Sequence, residues 1–221
     1  MSPKITLVVP TLRRYDLLTQ MLIASAERGT RPPDHYFVID NGGTLDPGSY
    51  GLPTAKMTVY KPGHNIGVAA SWNHALRTIP EYAIMACDDM SLFPNTIELL
   101  AAAADADQST GFFYPKENAH TTFGVYLMRS WCFQEVGAFD EAFSPAYFED
   151  NDYAYRLSLA GMKTLEIPDC GFTHVGSATL KSFNANEQSA HHANFNRLRE
   201  HYKQKWGGLP GHESFKTPFN R

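Results

Sequence analysis

Two adjacent carboxylates, Asp88 and Asp89, close the apolar run Tyr82-Ala83-Ile84-Met85-Ala86-Cys87. Neighbouring acids repel each other unless a cation or a helix N-terminus neutralises them. Hard divalent cations take oxygen ligands and commonly bridge to substrate phosphates, so the pair points to a metal that holds a diphosphate. A second acidic run, Phe148-Glu149-Asp150-Asn151-Asp152, opens a predicted helix. Acids in a first turn complement the helix dipole. Asp152 and Arg156 form an i,i+4 pair with a structural role. Asp150 stands apart, because it shares the inward stripe with Tyr153, Ala154 and Leu157. A carboxylate there is desolvated and its pKa raised, as a general base requires. His174, within Phe172-Thr173-His174-Val175-Gly176, becomes a candidate imidazole ligand once a metal is implied.

The strands that must carry these groups end in polar residues. The first predicted strand runs into Pro10-Thr11-Leu12-Arg13, the second into Asp40-Asn41-Gly42 and the fourth into Cys87-Asp88-Asp89. Ligands of open parallel sheets bind in the crevice beyond the carboxyl ends of the strands, so three such ends imply one shared site. Singly, each has a plainer explanation: Asn-Gly is a common turn, and an Asp after a strand often caps the next helix. Their coincidence carries the argument. The segment from His64 to Asn73 opens a helix with Gly67, Ala69, Ala70 and Ser71, which permit close approach, and free N–H groups of a first turn suit anions. Asn73 lies roughly 140° from the middle of the Val68, Trp72 and Ala75 stripe and shares its face with Ile66 and Ala70.

Periodicity supplies the elements. Ile5 to Val9, His35 to Ile39, Met57 to Tyr60 and Tyr82 to Cys87 read as strands, and Leu17, Leu18, Met21, Leu22 and Ser25 mark one helix face, with Gly29 as a stop. The Val68 helix closes at Pro80, and Asn95 to Ala104 is a further, Ala-rich helix. Alternating strand and helix over the first hundred residues predicts a mostly parallel sheet covered on both faces. Beyond it, strands are predicted at 111–114, 122–128 and 162–167, helices at 129–136 and 149–160, a polar stretch over 171–188, a basic helix at 191–206 and an irregular tail from Gly207. The reading is one mixed α/β domain over 1–180 and a C-terminal extension over 181–221.

Composition narrows the function. Three scattered cysteines in 221 residues exclude a disulfide framework or a Cys-type zinc site and fit a reducing, cytoplasmic compartment. No stretch approaches the ~18 apolar residues of a membrane span, and the start Met-Ser-Pro-Lys does not read as a signal peptide. A net charge of −4 argues against nucleic-acid binding. Residues 1–180 hold 12 basic against 20 acidic groups, whereas 181–221 hold 7 against 3. An acidic site binds an anionic diphosphate only with an intervening cation, so the balance favours metal dependence.

These motifs, in this order, resemble the inverting family 2 glycosyltransferases of the GT-A fold. The matching residues are Val8-Val9-Pro10-Thr11 with Arg13, Val38-Ile39-Asp40-Asn41-Gly42, and Asn65-Ile66-Gly67 with Asn73. They continue with Cys87-Asp88-Asp89, Phe148 to Asp152 with Arg156, and His174. The resemblance spans about residues 4–176 and implies a nucleotide-sugar half over 1–105 and an acceptor and catalytic half over 106–180. It implies that Pro10, Thr11, Arg13 and Asp40 hold the nucleoside, that Asn65, Gly67 and Asn73 line the phosphate and sugar, and that Asp89 and His174 bind Mn²⁺ or Mg²⁺ with Asp88 beside them. Asp150 matches the catalytic base of a single inverting displacement. Cys87 departs from the pattern, standing where a strict Asp-X-Asp has its first acid. The implied donor is UDP-linked before dTDP- or GDP-linked, and the acceptor a glycan, a lipid-linked sugar or a protein.

Two rivals share the fold class. A sugar nucleotidyltransferase would carry a Gly-rich basic loop after its first strand, where this chain reads Pro10-Thr11-Leu12-Arg13-Arg14-Tyr15-Asp16. A catalytically silent glycan- or nucleotide-binding protein would not need Asp89, Asp150 and His174 together. In the extension, Arg197, Arg199, Lys203 and Lys205 with Tyr202 and Trp206 suit donor phosphates, peripheral contact with an anionic membrane, or an acidic acceptor. A solvated helix with an aromatic anchor on the core is the plainer reading. Phe183, Asn184, His191 and His192 are candidates for bordering the acceptor.

Overall fold

The computed structural model describes residues 4–79, 82–116, 122–174 and 183–221. Pro80, Val175, Gly176 and most of the polar stretch up to Lys181 and Ser182 lie outside them. Strands β1 (Ile5–Thr11), β2 (His35–Asp40), β3 (Met57–Tyr60), β4 (Tyr82–Ala86), β6 (Phe112–Pro115), β7 (Val125–Met128) and β8 (Thr164–Ile167) form one sheet in the order β3-β2-β1-β4-β7-β6-β8. Neighbouring pairs are parallel except those of β7, which runs against β4 and β6. The expected parallel sheet is therefore present over the first four strands.

Strand alternation divides the core. Ile5, Leu7 and Val9 pack on one face with Leu18, Met21 and Leu22 of α1 (Tyr15–Glu27) and Leu100, Ala101 and Ala104 of α3 (Thr96–Ala106). Val8, Ile39 and Met85 meet Trp72 and Ala75 of α2 (Gly67–Thr78), Cys132 and Phe133 of α4 (Ser130–Val136), and Tyr153 and Leu157 of α5 (Glu149–Leu159) on the other. Because β1 has β2 on one side and β4 on the other, the chain reverses its direction of winding at β1, and the crevice opens beyond Thr11.

Two elements depart from the sequence reading. Within the expected polar stretch, β9 (Phe172–His174) pairs antiparallel with a three-residue strand, β5 (Met90–Leu92), opposing Met90 to His174. Both are too short for periodicity to register. The last helix, α6 (Ala185–Trp206), begins six residues before the expected His191. Its start is set by a capping box, in which Asn184 accepts from the Glu187 backbone N–H and Glu187 accepts from that of Asn184. Leu198, Tyr202 and Trp206 of α6 are buried against Phe143 and Phe148. No helix among the described residues is long and apolar enough to cross a membrane.

Candidate active site

At the carboxyl end of β1, the Thr11 hydroxyl donates to Asp88 Oδ2 at 2.7 Å. Burial pushes the Asp88 carboxyl up to about 6; the Thr11 hydrogen bond opposes this and the Asp89 charge adds to it. Asp89 turns to the β5–β9 ribbon, where its Oδ2 lies 3.0 Å from His174 Nε2. The two strands missed in the sequence thus create that contact. A cavity of about 430 Å³ opens beside Asp88 and Asp89, walled by Leu17, Gln20 and Met21 of α1.

The second acid pair begins α5. Asp150 is half-buried, and its Oδ1 accepts from the Asn151 N–H at 2.8 Å. Burial raises its pKa, with that backbone hydrogen bond pulling the other way. The strand end and the helix start converge on Cys87. Burial drives its thiol well up, and the charges of Asp89, Asp88, Glu149 and Asp150 add to the effect.

Other expected site residues are placed differently. Asp40 is 0% exposed and accepts from the Tyr15 hydroxyl and from the N–H groups of Gly42, Gly43 and Leu45. It folds the loop after β2, with Lys61 3.8 Å away. Gly42 is required there, since a Cβ would come within 2.0 Å of the Leu12 carbonyl oxygen. Asn73 is also fully buried; its amide bridges the Phe139 backbone, donating at 2.9 Å and accepting at 2.7 Å, and donates to Glu141. The face that helical geometry left outside the α2 stripe is filled by the segment 139–141, which sequence spacing did not reveal. Asn65 accepts from the Gly67 N–H at 2.9 Å, and Gly67, at φ +82°, lets Pro145 approach closer than any Cβ would allow. Asn65 lines a separate groove of about 520 Å³ with Ile66, Ala70 and His74, which shares no residue with the cavity at Asp88. Pro10 is buried in β1, and the exposed Arg13 reaches Glu187 of α6 at 2.6 Å, with Phe183 against its guanidinium.

Comparison places this geometry in a wider context. No protein-family model and no curated protein matches the chain. Among solved structures, a mannosyltransferase from Pyrobaculum calidifontis, PcManGT, in complex with GDP-Man and Mn²⁺, superposes with a TM-score of 0.59 at 18% identity. The match covers 77% of this chain and 56% of that one, so this chain spans little over half of its neighbour. The chain has the GT-A fold.

At this strand end, the side chains that could hold a cation are Asp89 and His174, 3.0 Å apart. Among the described residues, no group of three or more His, Cys, Asp or Glu side chains gathers as a metal site. Two protein ligands suit Mg²⁺ or Mn²⁺, which keep waters and take further oxygens from substrate phosphates, and would not suffice for a structural zinc site. The basic face expected on α6 is only partly one. Lys205 is 5% exposed and donates to Asp140 at 2.7 Å and to Asp152, which also accepts from Arg156 and from Trp206 Nε1 at 2.8 Å. Lys205 and Trp206 therefore anchor the helix end to α5. Glu149, which sequence reasoning treated as one of the dipole-complementing acids, is 6% exposed. Nothing in the residue types distinguishes it from Asp150; the φ of +90° and +68° at Tyr147 and Phe148 turns it inward.

Proposed function

We propose that the chain is a metal-dependent glycosyltransferase of the inverting family 2 type, moving a sugar from a nucleoside diphosphate to an acceptor hydroxyl. The observation that carries this reading is the convergence of two acid pairs on Cys87 at the carboxyl end of β4, one beside a histidine and one on a helix start. Asp89 and His174 would hold Mn²⁺ or Mg²⁺, whose chemistry when bound is Lewis-acid neutralisation of the leaving diphosphate. Thr11 fixes the Asp88 carboxylate at the same strand end, and Pro10 and Arg13 border the nucleoside. Asp40, Gly67 and Asn73 support that site by holding its loops, and the exposed Asn65 offers its side chain to the groove beside α2, where the donor's phosphate and sugar would lie. Asp150 takes the proton of the acceptor hydroxyl as that oxygen attacks the anomeric carbon from the face opposite the diphosphate, so one displacement inverts the centre. Protein turns over in a reducing, cytoplasmic setting, and the acceptor is a glycan, a lipid-linked sugar or a protein hydroxyl.

UDP-sugars are the first donors to try and dTDP-sugars the next. GDP-mannose joins them because PcManGT was solved with it. The test is a panel of nucleotide sugars with and without Mn²⁺, read by thermal shift and by nucleoside diphosphate release. A bound donor stabilises the fold by RT ln(1 + [L]/Kd). One donor class should raise the midpoint only with the metal and release its diphosphate. Stabilisation without release would instead identify a silent binding protein, and pyrophosphate release from a nucleoside triphosphate with a sugar phosphate would identify a nucleotidyltransferase.

A further inference from the structure

Glu149 precedes the proposed base and is the more deeply buried of the two. Its Oε2 makes no hydrogen bond among the described residues, and neither does the fully buried hydroxyl of Tyr126 on β7. The titratable groups around Glu149 are Asp150 and Tyr147 on its own segment, Tyr126 from β7 and Cys87 from the end of β4. None of these is a cation. The cations that α5 and α6 bring to this region among the described residues, Arg156, Lys205 and Arg197, are committed to Asp152, Asp140 and the Ser144 backbone carbonyl. A buried carboxylate without a compensating charge neutralises instead of ionising. The positive φ at Tyr147 and Phe148 commits the backbone to this inward placement, a conformation that non-glycine residues adopt only when their surroundings enforce it.

We propose that Glu149 is a positioning residue, held as the neutral acid behind Asp150, that leaves the pair's single negative charge on the less buried carboxylate of Asp150 and fixes the first turn of α5. This rests on the reading of Asp150 as the base. Burial first, and the Asp150 charge second, push Glu149 up to about 8, while Asp150 is raised by burial alone. Asp150, less buried and accepting a backbone N–H that Glu149 Oε2 lacks, is the member of the pair placed to carry the charge. Once Glu149 loses its proton, its carboxylate must reach water, and the turn that carries Asp150 moves with it.

The sign of the pH effect follows from the raised carboxyl. Its contribution to folding is fully present below the usual glutamate range and is lost as pH rises through about 8. Glu149→Gln reproduces the neutral acid and cannot lose a proton. Thermal unfolding from pH 5 to 9 should show the wild-type midpoint falling relative to Glu149→Gln across that window. A gap that stays constant with pH would overturn the buried neutral acid. The second readout is turnover of the best donor from the panel. At pH 7, Glu149→Gln should stay within about threefold of wild type, whereas Asp150→Asn falls by ~10²–10⁴-fold. At pH 9 the variant should outpace the wild type. If Glu149→Gln is as inactive at pH 7 as Asp150→Asn, Glu149 itself moves the proton and the positioning role is wrong. If wild type turns over no donor, the transferase reading fails, while the unfolding gap still decides the state of Glu149.

Discussion

Asp88 and Asp89, at the end of β4, are met by side chains from other elements, Thr11 of β1 and His174 of β9. Glu149 and Asp150, at the start of α5, accept hydrogen bonds from backbone N–H groups and, among the described residues, from no side chain. Both are adjacent acids in a buried setting, and the difference lies in how each disposes of its second charge. At the strand end, polar partners and an open cavity leave room for a cation and its phosphate ligands. At the helix start, Glu149 is buried with its Oε2 unpartnered among the described residues, which leaves protonation as the remedy. Under the proposed function, like sequence motifs would take a binding role in one place and a proton-transfer role in the other.

Removing the cations' shared partner is the harshest way to break this contrast. Asp152 is fully buried and receives Arg156, Lys205 and Trp206 Nε1. Asp152→Ala should destabilise the protein by about 3–5 kcal/mol in urea unfolding, because the buried Lys205 and the half-buried Arg156 both lose a partner. It should also loosen the α5 pair while sparing Mn²⁺-dependent nucleotide binding to whatever fraction stays folded. Next in size, Asp89→Ala or His174→Ala should weaken Mn²⁺-dependent nucleoside diphosphate binding by about 10–100-fold in calorimetric titration. Equal binding with and without Mn²⁺ in the wild type would erase the distinction between the two pairs. Thr11→Val sharpens it. Loss of the hydroxyl that donates to Asp88 should cost about 1 kcal/mol of stability and leave α5 unaffected. The smallest effect belongs to Arg13, whose side chain is 48% exposed in its pair with Glu187. Glu187→Gln should change stability by no more than ~0.5 kcal/mol, and a larger loss would mean that the start of α6 is tied to the donor side more firmly than an exposed pair allows.

Much of this contrast was readable from residue order. The apolar runs before Thr11, Asp40 and Asp88 predicted three parallel strands ending on one side, and these occur, because a buried parallel strand has a continuous apolar signature. Helical spacing places Asp150 on a stripe with Tyr153, Ala154 and Leu157; Tyr153 and Leu157 are buried, but Ala154 is exposed and the acids that share the buried face are Glu149 and Asp152. What escaped was set by tertiary pairing. The ribbon that brings His174 to Asp89 is three residues on each side, too short for a pattern. The inward turn of Glu149 depends on positive φ at two aromatic residues, for which no residue type is a marker. Asn73 looked free of the core because the segment that covers it comes from residues 139–141, far along the chain. The early start of α6, in contrast, is legible in the capping-box spacing of Asn184 and Glu187.

The proposed division, in which Asp88 and Asp89 serve the donor and Asp150 alone takes the proton, is tested most directly by Asp150→Asn with the donor that the wild type uses. Donor affinity in the presence of Mn²⁺ and the single-turnover rate are measured on the same preparation. The account predicts affinity within about threefold of wild type and a rate reduced by ~10²–10⁴-fold. A rate near that of the wild type, or a loss of affinity that matches the loss of rate, would contradict it.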